Sequence, residues 1–110
     1  MDLSRADDIT LLQLIEQHQA EALGSLYDRY GRLVFSVAFQ ITGDLLTAED
    51  ICQDVFLRVW QKADMFQAER GTAMTWLARM TRNRAIDILR REQVRPEKHS
   101  ISWARVAHCE

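Results

Sequence analysis

The stretch TAEDICQDVFLRVWQKADMFQAERGTAMTWLARMTRNRAIDILRR, residues 47–91, decides the fold. Within it Ala48, Ile51, Cys52, Val55, Phe56 and Val59 recur at the three- and four-residue steps that gather side chains on one side of an α-helix. Thr47 with an acid three residues on, Asp50, reads as a capped start, which predicts a helix over residues 47–63. After a loop at 64–71 the period returns. Ala73, Leu77, Met80, Thr81, Ala85 and Ile88 form the apolar stripe of a second helix, predicted over residues 72–92.

Working outward, residues 19–42 carry Leu23, Leu26, Tyr27, Tyr30, Val34, Val37, Ala38 and Ile41 on one stripe, with Phe35 and Phe39 on another side. A helix apolar on two sides is expected to pack on two neighbours. Gly43 and Asp44 close it as a C-cap and turn. A shorter helix is predicted at 8–17, capped by Asp7 or Asp8, with Ile9, Leu12 and Ile15 on its inner face. No alternation of the strand type occurs. The expected fold is all-α, a compact four-helix bundle over residues 1–92. Residues 93–110, with the single Pro and no sustained period, are expected to form a flexible linker or tail.

Composition fits one ordinary globular unit: 110 residues, 47% hydrophobic and 27% charged, with a formal net charge of −2. The distribution of charge says more than its sum. Residues 1–69 hold five cations against twelve acids, a net of −7, whereas residues 70–110 hold nine against four, a net of +5. An acidic half and an arginine-rich half suit two different partners, or they neutralise one another internally. No apolar run reaches the ~20 residues of a membrane span, and the acidic N-terminus is unlike a secretory signal. No membrane insertion is expected, therefore, and the cytoplasm is the expected compartment. Cys52 and Cys109 lie far apart, in keeping with reduced thiols. His18, His99 and His108 are scattered, with no nucleophile–base or metal-ligand spacing, so no catalytic residue, metal or cofactor is expected.

Two predicted helices carry chemistry on their outer faces. Asp50, Gln53, Asp54, Leu57 and Gln61 share one side of the helix at 47–63, two acids, two amides and a leucine able to dock on a basic helix. The alternative is a plain solvated face. Beside the stripe of the helix at 72–92 run Trp76, Arg79, Asn83 and Arg90, with Arg82 nearby. Guanidinium forks, an amide and an indole together meet phosphate, base edge and base face. Arg84 falls on the apolar stripe, from where it can snorkel or pair with Asp87, which also reaches Arg91. In the loop, Met65 and Phe66 offer contact, Gln67 offers hydrogen bonds, and Arg70 adds charge for an unstacked base. Phe66 taken singly is better suited to plugging the bundle end.

These residues carry a resemblance. The string D-x-x-Q-D-x-F (Asp50, Gln53, Asp54, Phe56) and the string W-L-x-R-x-x-x-N (Trp76, Leu77, Arg79, Asn83), with the loop between, resemble region 2 of the sigma-70 family. The likeness spans residues 20–91 and is nearest to the extracytoplasmic-function (ECF) branch. It implies docking of Asp50, Gln53, Asp54, Leu57 and Gln61 on the clamp coiled coil of the largest subunit of core RNA polymerase. It implies recognition of the promoter −10 element by Trp76, Arg79, Arg82, Asn83 and Arg90. The loop, through Met65, Phe66, Gln67 and Arg70, would capture a flipped base of the single-stranded non-template strand and nucleate opening. An anti-sigma partner accords with that branch. The −35-reading second domain of such factors has no counterpart in these 110 residues. Two other readings remain at this point: a helix-turn-helix regulator of duplex DNA, which would need a short Gly-containing turn before the basic helix, and a helical protein-interaction domain that never touches DNA.

Overall fold

The computed structural model describes residues 2–93, and the expected tail lies outside the described residues apart from the backbone of Gln93. Four helices follow in order: α1 (Asp8–Glu16), α2 (Ala20–Thr42), α3 (Leu45–Lys62) and α4 (Ala73–Gln93). The connection from α3 to α4 is not plain loop, since it holds two 3₁₀ turns, Ala63–Met65 and Ala68–Arg70. Among the described residues there is no strand.

Helix α1 starts where Asp7 accepts the Thr10 N–H at 2.8 Å, which settles the choice of cap. Its buried side chains are Leu11, Leu12 and Ile15, and Ile9, expected inside, is 46% exposed. The inner stripe runs 8, 11, 12, 15, so the place given to Ile9 belongs to Asp8. That carboxylate faces α2, bonded by Arg29 Nη1 at 2.9 Å and by the Tyr30 hydroxyl. The helix ends in a Schellman motif: His18 N–H donates to Ile15 O at 2.8 Å and Gln19 N–H to Leu14 O at 3.0 Å. His18 takes the left-handed conformation (φ 64°) that this motif gives most often to glycine. Its ring stands edge-on to Trp60, 5.3 Å between centroids.

Helix α2 is the centre of the bundle and packs on α1, α3 and α4, three neighbours where two were expected. Ala22, Leu26, Val34 and Ala38 are buried, with Leu23, Tyr30, Phe35, Phe39 and Ile41 partly so. Tyr27, expected on the inner stripe, is 51% exposed and sets its ring edge-on against Phe56 instead. Its ring also lies over Gly31, which is buried against α3 and whose carbonyl faces the buried Cys52 thiol. Burial, with Glu49 adding to it, pushes that thiol's pKa up. Gly43 ends the helix at φ 68°, its N–H on Phe39 O at 2.7 Å, as the sequence suggested.

The start of α3 corrects the reading of its cap. Asp44, not Thr47, is the N-cap; its carboxylate accepts the Thr47 N–H at 3.0 Å and also the Thr47 hydroxyl. The first turn is Leu45 and Leu46, 61% and 74% exposed, and their outward apolar side chains broke the pattern that would have extended the helix back to them. The core face is as expected: Ala48, Ile51, Cys52, Val55, Phe56 and Val59 are all buried. Helix α4 is entered through Thr72, whose hydroxyl accepts the Thr75 N–H at 3.2 Å. It buries Ala73, Leu77, Thr81 and Ala85, with Met80 and Ile88 partly covered. The buried Thr81 hydroxyl donates to Leu77 O at 2.7 Å, and among the described residues no buried side-chain nitrogen or oxygen lacks a partner.

Candidate functional site

Because the inner face of α3 is fixed by six buried side chains, the opposite face is turned outward as a rigid unit. Asp50, Gln53, Asp54, Leu57 and Gln61 are all exposed, Leu57 by 54%. The two carboxylates differ in surroundings. Arg84 of α4 reaches across and holds Asp54 Oδ2 through Nε and Nη2, both at 3.2 Å. The same guanidinium meets Asp87 at 3.3 Å, and Asp87 in turn meets Arg91 at 3.2 Å. Arg84 on the apolar stripe is thus explained: its stem crosses the α3–α4 seam and its head bridges the two helices. Each of these pairs is about half solvent-exposed, so each is worth at most about 1 kcal/mol.

On α4, Arg79, Arg82, Asn83 and Arg90 are exposed and Trp76 is half-buried. Trp76 packs on the core beneath and on Phe66 of the connection, 5.3 Å between ring centroids and tilted by 57°. Phe66 is therefore half-buried and caps the bundle end, as its type suggested, while its ring still lines the surface. Above this aromatic pair lies a concavity of about 210 Å³. It brings together Met65, Phe66, Gln67 and Arg70 of the connection with Trp76 and Arg79 of α4. All four of the expected loop residues and two of the five expected helix residues thus share one surface hollow.

Asn83 does not. It lines a separate groove of about 540 Å³ between α3 and α4, with Leu57 and Gln61 on the facing wall. Arg82 and Arg90 line neither concavity. The sequence treated the α3 face and the α4 face as independent, yet this groove joins them. Three residues went unnoticed in that reading: Arg58, which lines the groove from α3, and Gly71 and Thr75, which line the loop hollow. Arg58 is four residues from Asp54 and three from Gln61 on the helix, a spacing that could have flagged it. Gly71 has φ 147° and ψ −174°, a conformation that no side chain allows easily, and a lone glycine between two motifs carried no signal of it.

Among the described residues, no group of three or more His, Cys, Asp or Glu side chains could hold a metal ion. Nor is any of their helices long and apolar enough to cross a membrane.

The geometry gives a four-helix domain with two exposed faces of unlike chemistry, one carrying acids and amides and one carrying arginines beside an aromatic hollow. Comparison with known proteins places it. The family Sigma-70 region 2 matches residues 26–95. The chain is 33% identical over 100 residues to the ECF RNA polymerase sigma factor RpoE of Cereibacter sphaeroides, covering 90% of this chain and 55% of that protein. It is 31% identical over 100 residues to the ECF RNA polymerase sigma factor SigK of Mycolicibacterium vanbaalenii, covering 91% and 51%. With the protein of the same name from Mycobacterium tuberculosis it shares 31% over 83 residues, covering 76% and 44%. The chain belongs to the sigma-70 region 2 family, in its extracytoplasmic-function branch. It spans about half the length of the curated relatives it matches.

Proposed function

We propose that this chain serves transcription initiation in the cytoplasm as the polymerase-docking and −10-reading part of a sigma factor, assigned to residues 1–92. In this reading Asp50, Gln53, Asp54, Leu57 and Gln61 dock on the clamp coiled coil of the largest polymerase subunit, where acids and amides meet basic side chains around a central leucine contact. Arg79, Arg82 and Arg90 position the promoter strand by its phosphates, while Asn83 and Trp76 contact bases of the −10 element. Met65, Phe66, Gln67 and Arg70 hold a flipped base of the non-template strand. No bond is made or broken. Strand opening follows from differential binding: a site that takes an unstacked base and cannot take a paired one shifts the duplex toward its open state.

One observation supports this reading above the others: the four loop residues share a hollow with Trp76 and Arg79, so an aromatic floor and guanidinium groups face the same space. A repressor of the helix-turn-helix class would present its basic helix after a short turn; here the ten residues 63–72 with two 3₁₀ turns intervene, and Phe66 among them packs on Trp76 of α4.

The test is selection from labelled single-stranded −10 libraries, with and without the clamp coiled coil, at two salt concentrations. Enrichment of a short motif, lost in Asn83→Ala, is expected. Equal binding of all sequences, or a preference for duplex, removes the DNA assignment and leaves polymerase docking to stand alone.

A further inference from the structure

The groove between α3 and α4 runs along the acid and amide face in two parts of different chemistry. One concavity, of about 430 Å³, lies where α3 begins and α4 ends, with Thr47, Asp50 and Asp54 across from Ile88, Arg91 and Glu92. The other, of about 540 Å³, continues from it past the shared Asp54 and Arg84 to Leu57, Gln61, Met80 and Asn83. The first holds three acids against two cations, and both cations are committed: Arg84 to Asp54 and Asp87, Arg91 to Asp87. Asp50 takes part in no ion pair among the described residues. The second balances two acids with two cations and exposes apolar surface, chiefly Leu57.

The chain continues from the acidic end of this groove. Gln93 follows Arg91 and Glu92 directly, and those two share a concavity with Thr47 and Asp50. The sequence that follows runs in a matching order. Arg95 and Lys98 come first, against a single acid, Glu97; then come Ile101, Trp103 and Val106, with Arg105 among them. Ten residues separate Gln93 from Trp103, a reach of about 15 Å if helical and about 33 Å if extended. Thr47 and Leu57 are also ten residues apart on α3, which is about 15 Å.

We propose that residues 94–106 of this chain lie back along the α3–α4 groove, with Arg95 and Lys98 against Asp50 and Asp54 and Trp103 seated on Leu57 and Met80. The face so covered is the one assigned above to polymerase docking. The covering does not rest on that assignment; its consequence, competition with the polymerase, does. Exposed ion pairs contribute little, so the indole is the anchor, a large rigid side chain over an exposed leucine. A segment tethered next to its site needs only weak contacts, because the tether holds it at high effective concentration.

The test uses the whole chain. In a Cys52→Ala background a nitroxide is attached to Cys109, and the amide resonances are followed by NMR. Broadening is expected along the groove, at Leu57, Gln61, Met80 and Asn83, and Trp103→Ala should remove it. Even broadening over the whole surface, or broadening centred on another face, overturns the proposal. So does broadening that appears when spin-labelled chain is mixed with separate isotope-labelled chain, since the occupant is then a second copy. Competition is read with the clamp coiled-coil fragment. A face open only about a quarter of the time binds about fourfold more weakly, so Trp103→Ala should tighten binding by about two- to fourfold. Unchanged affinity overturns the competition. If neither the parent nor Trp103→Ala binds the fragment, the polymerase reading falls, and broadening confined to the groove still establishes the covering.

Discussion

Gly71 offers a sharp test of how the hollow is built, because the same substitution elsewhere in the chain has the opposite sign. At φ 147° and ψ −174° it occupies a region open almost only to glycine, so Gly71→Ala costs about 1–3 kcal/mol in backbone strain alone. A Cβ built there lies 2.9 Å from Thr75 Oγ. That hydroxyl can swing away only by giving up its 2.8 Å bond to Thr72 O, an exposed hydrogen bond worth about 0.5–1.5 kcal/mol. Together these give about 2–4 kcal/mol, a large share of the roughly 5–15 kcal/mol that holds a domain folded. At about 4–8 °C per kcal/mol for a chain of this length, the melting temperature should fall by on the order of 10 °C or more. Gly24 is the control. It lies exposed within α2, with nothing within 4 Å of an added Cβ, so Gly24→Ala should stabilise by about 0.5–1 kcal/mol. Urea unfolding followed by circular dichroism reads both. In a Thr75→Ala background the cost of Gly71→Ala should shrink by the hydroxyl's share while the backbone share remains. A Gly71→Ala variant within about 0.5 kcal/mol of the parent would refute the argument, as would complete rescue by Thr75→Ala.

Three further outcomes follow from other parts of the structure. Asp44→Ala should destabilise by about 0.5–2 kcal/mol in the same unfolding assay, and more than Thr47→Ala, because Asp44 is the residue that caps α3. Arg84→Gln should tighten binding to the clamp coiled coil, measured by titration calorimetry, by freeing Asp54 from its intrachain cation, at a stability cost within about 1 kcal/mol; weaker binding would instead make Arg84 a residue that positions Asp54. The hydrogen bonds from Thr10 hold the Asp7 carboxyl below its ordinary pKa. A depressed carboxylate contributes stability that is present above its unfolded pKa and is lost as pH falls through its folded one. Unfolding followed across the acid range should therefore show a loss below the ordinary carboxylate pKa that Asp7→Ala removes.

The helices were legible where one face is buried and the other wet. The six buried residues of α3 follow the three- and four-residue step without exception, and the burial is what such spacing means physically. The reading failed where a polar residue took an inner position or an apolar one an outer position. Asp8 sits inside because Arg29 and the Tyr30 hydroxyl satisfy it, two partners on another helix that no local pattern reveals. Leu45 and Leu46 point outward in the first turn of α3, so the capping box at Thr47 was the stronger local signal although Asp44 performs the role. His18 in a left-handed conformation is the same kind of case: the Schellman bonds and the edge of Trp60 hold it where glycine would be the default.

The candidate site was legible as residue types and illegible as geometry, and the difference changes its logic. Spacing assigned Asp54 to one face and Asn83 to another, and each assignment was sound on its own helix. Only the packing of α3 on α4 brings Asn83 opposite Leu57 and Gln61, and only Arg84, which the pattern left unexplained, ties Asp54 to the arginine-bearing helix. A cation arriving at Asp54 must compete with Arg84, and an Arg84 displaced from Asp54 is released one residue from Asn83. If α3 meets the polymerase and α4 meets the strand, occupation of either face alters the charge presented by the other, through one side chain and two distances of 3.2 Å. The pair is half-exposed, so the coupling it can carry is a fraction of a kcal/mol to about 1 kcal/mol. That is enough to bias two binding events by a few-fold and too little to gate them.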